Sequence, residues 1–143
     1  MTTIAWDGKT LAVDSKSCMG SIVESTSAKK LYLNVGEYKA VAVTGELLEA
    51  LDVIDWLKGD KLGKFPKGEE GALVCVDKKG DLYTYHIHGT GRPEKRKGVF
   101  SEGSGWAVAL GALDCGSTAV EAVKIAAKRC VYTGGKIQSY THV

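Results

Sequence analysis

Apolar and polar side chains alternate over the first fifteen residues, which predicts a β-hairpin. The segments TTIAW and KTLAVDS flank Asp7-Gly8, a dipeptide that supplies the positive φ angles of a two-residue type I′ turn. Such a turn would set Thr2 opposite Val13. Asp14 would then lie beside the start of the first strand, next to the chain terminus.

The middle of the chain continues the pattern with strands on either side of one helix. KKLYLNVG and YKAVAVT predict two strands. TGELLEALDVIDWLKG predicts a helix because its apolar residues recur at helical spacing, with Thr44 as N-cap and Gly59 as stop. ALVCVDKKGDLYTYHIH predicts a second hairpin that turns at Lys79-Gly80. GTGRPEKRKGVFSEG then predicts a loop that leads into a short strand.

The last third of the chain predicts two helices and a strand. GSGWAVALGALDCG predicts a helix that ends at Gly116, and STAVEAVKIAAKRCVY predicts one that begins with a capping box of Thr118 and Glu121. TGGKIQSYTHV predicts the final strand. Because strands and helices are grouped, the pattern indicates an α+β protein with antiparallel sheets, in a single domain over residues 1–143.

Composition and charge narrow the classes of partner. The chain has 19 basic and 17 acidic residues of mixed order, so we expect neither a nucleic acid nor a membrane as partner. No apolar window is long enough for a transmembrane helix, and the first residues lack the basic and apolar regions of a signal peptide. The four cysteines are far apart and form no C-x-x-C pair, which favours free thiols in a cytoplasmic protein.

Thr2 offers two reactive groups once Met1 is removed, which is usual before a small residue. Its hydroxyl is a nucleophile, and its α-amine, with an ordinary pKa of about 7.7–8.0, can act as the base for that hydroxyl. The alternative is that Thr2 is only a small second residue that permits removal of the methionine. The residue by itself does not decide between the two.

Two further positions suit the same chemistry. Lys29 and Lys30 start a strand and lie on opposite faces, so only one of them can point inward. A lysine beside the Thr2 hydroxyl would lower the pKa of that hydroxyl, and Asp14 would hold the lysine charged, although both lysines could instead be solvated. Gly45 precedes a helix whose unpaired N–H groups can stabilise an oxyanion, although a glycine also suits turn geometry there.

Five segments, in this order and spacing, resemble a known family of hydrolases: TTIAWDGKTLAVDS, KKLYL, VTG, EGSGWAVALGAL and RCVYTGG. The chain resembles the proteasome β-type N-terminal-nucleophile hydrolases, and is nearest to the bacterial HslV-type threonine peptidases, which work with an ATP-driven unfoldase. The resemblance extends over nearly the whole chain. It implies a four-layer αββα sandwich of antiparallel sheets.

The resemblance also implies a set of catalytic residues: Thr2, Asp14, Lys30, Gly45, Ser104 and Thr133. Thr2 would attack the scissile carbonyl, and its amine would carry the proton. Asp14 and Lys30 would tune the nucleophile, and the N–H of Gly45 would hold the oxyanion. Ser104, together with Thr133, would order the amine and a nearby water.

Position by position, the resemblance implies a mostly apolar pocket that favours cleavage after hydrophobic residues. Its lining would be Ser17, Ala28, Tyr32, Val43, Leu47 and Leu51. These side chains could instead belong to the core, Leu51 above all. In HslV-type relatives, carbonyl groups at the end of the later helix can hold a sodium ion, and the matching positions are Ala127, Cys130 and Thr133. Peptide hydrolysis itself would need no cofactor.

The chain departs from the family in three places. Asp7-Gly8 makes the first hairpin tighter than usual, and Glu46 stands where a second glycine is common in the oxyanion segment. The segment between the first helix and the second hairpin is short. These departures bear on ring size and partner contacts more than on the chemistry.

The resulting expectation is a cytoplasmic threonine peptidase that cleaves unfolded protein or peptide. It would form a homo-oligomeric ring or double ring with Thr2 inside, served by an ATP-dependent unfoldase. A small-molecule amidase of the same fold and a catalytically silent scaffold or assembly subunit are the alternatives. The intact set of Thr2, Asp14, Lys30 and Ser104 argues against the silent subunit.

Two other patterns favour ordinary surface roles. His86 and His88 share one face of a strand and could bind a metal, but without a third ligand we expect a solvated pair. The basic run RPEKRK has no interleaved aromatic residues, so we expect a solvated loop.

Overall fold

The computed structural model describes residues 2–143, and the statements below refer to that range. Met1, whose removal is expected from the sequence, lies outside it. The described helices are α1 (Leu47–Lys58), α2 (Trp106–Asp114) and α3 (Ala119–Arg129). The described strands are β1 (Thr3–Trp6), β2 (Thr10–Val13), β3 (Ser17–Met19), β4 (Ile22–Ser25), β5 (Leu31–Val35), β6 (Tyr38–Gly45), β7 (Gly71–Asp77), β8 (Leu82–His86), β9 (Glu94–Arg96), β10 (Phe100–Gly103) and β11 (Gln138–Thr141).

The strands form two antiparallel sheets and one separate hairpin. The first sheet has four strands in the order β10-β1-β2-β11, and the second has five in the order β5-β6-β7-β8-β9. Within residues 2–143, β3 and β4 pair only with each other. The helix α1 packs against the five-stranded sheet, whereas α2 and α3 pack against the four-stranded one.

Three apolar cores hold these layers together. The core between the two sheets contains Ile4, Leu11 and Val74, and the core under α1 contains Val41 and Val53. The third core, under α2 and α3, is built mainly from alanines. The layers therefore run α1, five-stranded sheet, four-stranded sheet, α2 with α3, which confirms the predicted αββα sandwich.

The sequence of β6 shows why both sheet faces are covered. Ala40 and Ala42 face the core between the sheets, while Val41 and Val43 face α1. A strand buried on both faces has a continuous apolar run rather than an alternating one, as in YKAVAVTG. Its small alanines allow the two sheets to approach each other.

The first hairpin forms, but the predicted register is wrong by two residues. Ile4 lies opposite Val13, and Asp7 N–H donates to Thr10 O, so the two loop residues are Gly8-Lys9. The cause is the Asp7 side chain. Its Oδ1 accepts the N–H groups of residues 9 and 10, and its Oδ2 accepts the N–H of residue 119 at the start of α3. These bonds hold Asp7 at the first position of the turn instead of in its centre.

Other predicted boundaries are confirmed or corrected in detail. The capping box of Thr118 and Glu121 begins α3, and Gly59 follows α1, as predicted. Thr44 does not cap α1, because β6 continues to Gly45 and Glu46 takes the N-cap position without a side-chain bond. The sequence pattern also missed β9 and the β3–β4 hairpin, which are short strands with mostly exposed residues. In the described part of the chain, no helix has both the length and the apolar character needed to cross a membrane.

Candidate active site

Asp14 is the centre of a buried network at the end of β2. Its Oδ1 accepts hydrogen bonds from Thr3 N at 3.1 Å and from Lys30 Nζ at 3.0 Å. Its Oδ2 accepts from Gly134 N at 2.9 Å and from Lys16 N at 3.3 Å. The Asp14 side chain is 1% exposed. These four donors replace the water that the carboxylate loses on burial.

Lys30 is the inward member of the lysine pair. It lies just before β5, is buried, and donates through Nζ to Asp14 and to the carbonyl of Lys16. Burial lowers the pKa of the Lys30 ammonium, and the neighbouring Asp14 carboxylate opposes that shift only in part. Lys29 is exposed and its Nζ lies 4.6 Å from the centre of the Tyr32 ring. The alternation of side chains along the strand thus separates a buried lysine from a solvated one.

The backbone of Thr2 is held by Ser104, which lies between β10 and α2. Thr2 N donates to Ser104 Oγ at 3.2 Å, and Ser104 Oγ donates back to Thr2 O at 3.2 Å. The Cys130 thiol reaches Ser104 Oγ at 3.4 Å. Burial alone would raise the pKa of the Cys130 thiol, but its hydrogen-bond contacts with Ser104, Thr133 and the Tyr132 amide lower it overall. Ser104 therefore links the Thr2 nitrogen to a polarised thiol.

Thr133 contacts the neighbour of the predicted nucleophile. Its hydroxyl lies 2.7 Å from Thr3 Oγ1, and both residues are buried. Gly105 packs against the same pair, and a Cβ there would overlap Thr3 Oγ1. Thr2 and Thr3 point to opposite faces of the strand, so a hydroxyl bonded to Thr3 lies on the helix side. The contact with the Thr2 nitrogen is made by Ser104, and the expected role of Thr133 beside it stays a prediction.

Gly45 ends β6 in a conformation that suits glycine. Its φ is +99°, and a Cβ would lie 2.6 Å from the Cα of Gly71 on β7. Val43 N donates to Lys30 O at 2.9 Å. Because N–H groups of alternate residues point the same way along a strand, the Gly45 N–H is directed to that same side, beyond the start of β5. Gly45 and Thr2 line the same cleft.

A cleft of about 760 Å³ opens beside Thr2, Lys30 and Gly45. Of the predicted pocket residues, four line this cleft: Ser17, Ala28, Val43 and Leu47. Tyr32 and Leu51 do not, because their side chains pack against the core under α1. The alternative that Leu51 belongs to the core is therefore correct.

Carboxylates on the cleft wall were missed from the sequence. They are Glu24, Glu46, Glu49, Glu69 and Glu70. The expected mostly apolar pocket is therefore wrong. Two signals in the sequence point to four of them: two glutamates follow Gly45 within one helical turn, and Glu69 and Glu70 immediately precede the strand that pairs with β6.

The predicted metal positions carry little independent support. The Cys130 carbonyl accepts the N–H of Thr133 at 3.2 Å, which leaves one lone pair for a cation. A sodium ion at the carbonyls of Ala127, Cys130 and Thr133 stays a prediction. The rings of His86 and His88 are 5.4 Å apart, and among residues 2–143 no group of three His, Cys, Asp or Glu side chains could hold a metal ion.

Comparisons with known proteins agree with this geometry. No protein-family model matches the chain. In sequence, it is 28% identical over 183 aligned positions to a proteasome subunit beta of Nanoarchaeum equitans (strain Kin4-M), covering 99% of this chain and 92% of that protein. In structure, it matches the crystal structure of eukaryotic HslV from Trypanosoma brucei with a TM-score of 0.71 and 17% identity, covering 99% of this chain and 100% of the other. The chain is thus similar in sequence to a proteasome beta subunit and shares its fold with an HslV, which agrees with the resemblance carried by the five segments.

Proposed function

We propose that this chain is a threonine-type endopeptidase whose nucleophile is Thr2 after removal of Met1. The observation that carries the proposal is the joined network around Thr2. Ser104 holds the Thr2 nitrogen, Asp14 accepts the N–H of Thr3, and Lys30, 3.0 Å from Asp14, lines the same cleft as Thr2. Burial of an ion pair costs desolvation free energy and stabilises a fold little, so its position next to a hydroxyl nucleophile favours a catalytic role.

In the proposed reaction, Thr2 Oγ1 attacks the carbonyl carbon of the scissile peptide bond. The α-amine of Thr2 accepts the hydroxyl proton as the C–O bond forms, and the negative charge develops on the carbonyl oxygen. The N–H of Gly45 donates to that oxygen. The amine then gives its proton to the leaving nitrogen, and the C–N bond breaks to leave an acyl-enzyme. A water, deprotonated by the same amine, hydrolyses the ester.

The surrounding residues act on the two groups of Thr2. The Lys30 ammonium stabilises the developing alkoxide, and its lowered pKa makes the proton easier to share with that oxygen. Asp14 fixes Lys30 in place through the 3.0 Å contact. Ser104 orients the amine so that its lone pair faces the Thr2 hydroxyl. No cofactor takes part in any of these steps, and a sodium ion would be structural.

We further propose that the subunits assemble into a homo-oligomeric ring or double ring in the cytoplasm with Thr2 inside. The support is the similarity to a protein named as a proteasome subunit. Unfolded protein or peptide would be the substrate, delivered by an ATP-dependent unfoldase. Size-exclusion chromatography with light scattering separates this ring from a monomeric small-molecule amidase.

Labelling of the nucleophile tests the proposed function directly. Purified protein is treated with a threonine-directed epoxyketone or β-lactone and analysed by mass spectrometry. The expected result is one adduct on Thr2 in protein that lacks Met1, with none on Thr2→Ala and with labelling retained by Thr2→Ser. Protein that lacks Met1 and still forms no adduct would contradict the proposal and would favour the silent assembly subunit.

A further inference from the structure

The charge of the cleft beside Thr2 is not balanced by the side chains that line it. Within residues 2–143, no ion pair joins any of the five cleft glutamates to a basic side chain. Each of the three lysines that line the cleft contacts a group other than these glutamates. Lys16 Nζ donates to Val131 O at 2.7 Å, Lys29 lies over the Tyr32 ring, and Lys30 is buried against Asp14. The cleft therefore presents a negative surface to a substrate.

Four of the five glutamates follow the predicted oxyanion donor Gly45 or precede its partner across the β6–β7 pairing. Glu46 and Glu49 follow Gly45 at the start of α1, and Glu69 and Glu70 precede the residue that pairs with Gly45. Glu49 Oε2 accepts the N–H of Glu69 at 3.0 Å, which ties the loop before β7 to α1. These four glutamates thus lie within four residues of Gly45 or two residues of its pairing partner, on the cleft that Thr2 also lines.

Apolar groups of the same cleft form an independent feature. Ala28, Val43 and Leu47 line it together with the carboxylates. An apolar wall beside unpaired carboxylates complements a side chain with an aliphatic stem and a cationic head. Lysine and arginine have this form. Leucine would leave the carboxylates without a counter-charge, and glutamate would be repelled by them.

We propose that the cleft selects a lysine or arginine on the amino side of the scissile bond, with Glu46 and Glu70 as its specificity-determining residues. This inference rests on the proposed function of Thr2. The side chains of Glu46 and Glu70 are exposed. The backbone N–H of Glu69 in the nearby loop is bound by Glu49 instead. The attraction is therefore screened by salt.

Four fluorogenic peptides, identical except for Arg, Lys, Leu or Glu before the scissile bond, test the selectivity. The enzyme is used as it assembles after loss of Met1. The value of kcat/KM for Arg and Lys should exceed that for Leu by about tenfold, with Glu lowest. The ratio of Arg to Leu should fall as salt rises from about 0.05 M to about 0.5 M.

Charge-neutral variants identify the residues. In the double variant Glu46→Gln with Glu70→Gln, the ratio of kcat/KM for Arg to that for Leu should fall about tenfold. Asp52→Asn is the matched control, since Asp52 is exposed on the same helix but outside the cleft. It should leave the ratio unchanged. An unchanged ratio in the double variant would overturn the assignment to Glu46 and Glu70.

The possible results distinguish failure of the proposed selectivity from failure of the proposed peptidase activity. Faster cleavage after Leu than after Arg, in protein whose Thr2 is labelled by an uncharged epoxyketone, would overturn the inference and leave the peptidase intact. Absence of both cleavage and Thr2 labelling would overturn the proposed function, and the inference with it.

Discussion

Replacing Asp14 by asparagine removes the negative charge from the buried network while keeping the size of the side chain. Asp14 now accepts four hydrogen bonds, two at each carboxylate oxygen. The asparagine amide has only one acceptor oxygen, so its NH₂ group must face donors that it cannot satisfy. The Lys30 ammonium also loses the counter-charge that lies 3.0 Å away. Both effects destabilise the folded state.

The size of the effect follows from burial. Removing one partner of a buried ion pair costs about 3–5 kcal/mol, and a buried donor without an acceptor costs about 1–3 kcal/mol. The pKa of Lys30 is already lowered, so the lysine can lose its proton and limit the penalty. We expect the free energy of unfolding to fall by about 3 kcal/mol and the melting temperature by roughly 10 °C. A typical domain has about 5–15 kcal/mol of stability, so the variant should fold.

Urea unfolding, followed by tryptophan fluorescence, measures this free energy in a double-mutant cycle of Asp14→Asn and Lys30→Met. The double variant should lose less stability than the sum of the single variants, because the methionine removes the unpaired ammonium. Glu37→Gln is the control, since it breaks the exposed pair with Lys61, 2.9 Å apart. It should change stability by less than about 1 kcal/mol.

The loss in free energy of unfolding caused by Asp14→Asn, called the deficit below, should change with pH in one direction. Without Asp14, the pKa of folded Lys30 falls further, while the unfolded chain keeps the ordinary lysine value. Between these two pKa values the unfolded chain binds more protons than the folded one, so stability rises with pH. The deficit relative to the wild type should therefore shrink from neutral pH towards the unfolded lysine pKa. A loss below about 1 kcal/mol at pH 7, or a deficit that grows with pH, would refute this account of the ion pair.

Two further predictions concern the surroundings of the site. Gly105→Ala should lower the free energy of unfolding by about 1–3 kcal/mol, because the added Cβ would overlap Thr3 Oγ1. Gly111→Ala is the control and should not be destabilising, because its added Cβ has open space. Equal melting temperatures for the two variants would contradict the prediction. The pKa of Cys130 is lowered, so its alkylation by iodoacetamide should have a pH midpoint below that of the unfolded chain. Complete burial raises the pKa of Cys75, so Cys75 should react only on unfolding. Peptide mapping by mass spectrometry measures both thiols, and a Cys130 midpoint at or above that of the unfolded chain would contradict the second prediction.

The grouping of strands and helices could be predicted because its signals are local, whereas the four layers were implied by the family resemblance. The unbroken apolar run of β6 indicates a strand covered on both faces, and the capping box of Thr118 and Glu121 marks the start of α3 within four residues. The short edge strand β9 and the β3–β4 hairpin escaped prediction because their residues are mostly exposed. An exposed strand bears little of the hydrophobic alternation on which such predictions depend.

The composition of the cleft could not be predicted from the positions next to the nucleophile alone. Its wall combines β3–β4, the end of β6, the start of α1 and the loop before β7. Glu69 and Glu70 are 24 and 25 residues beyond Gly45, and only the pairing of Gly45 with Gly71 brings them to the cleft. A pocket inferred by position from a resemblance includes residues such as Leu51 and omits such long-range neighbours.

The first hairpin shows how a wrong register can leave the layers right while it shifts residues along the strand. The observed pairing differs from the predicted one by two residues, an even number, so every side chain stays on its predicted face. Ile4 and Val13 therefore still enter the core between the sheets. Along the strand, however, two residues amount to nearly 7 Å, and Asp14 lies opposite Thr3 instead of opposite Met1. In that position its Oδ1 accepts hydrogen bonds from both Thr3 N and Lys30 Nζ. The hydrogen bonds of Asp7 to the turn and to α3 thus decide where the ion pair beside Thr2 forms.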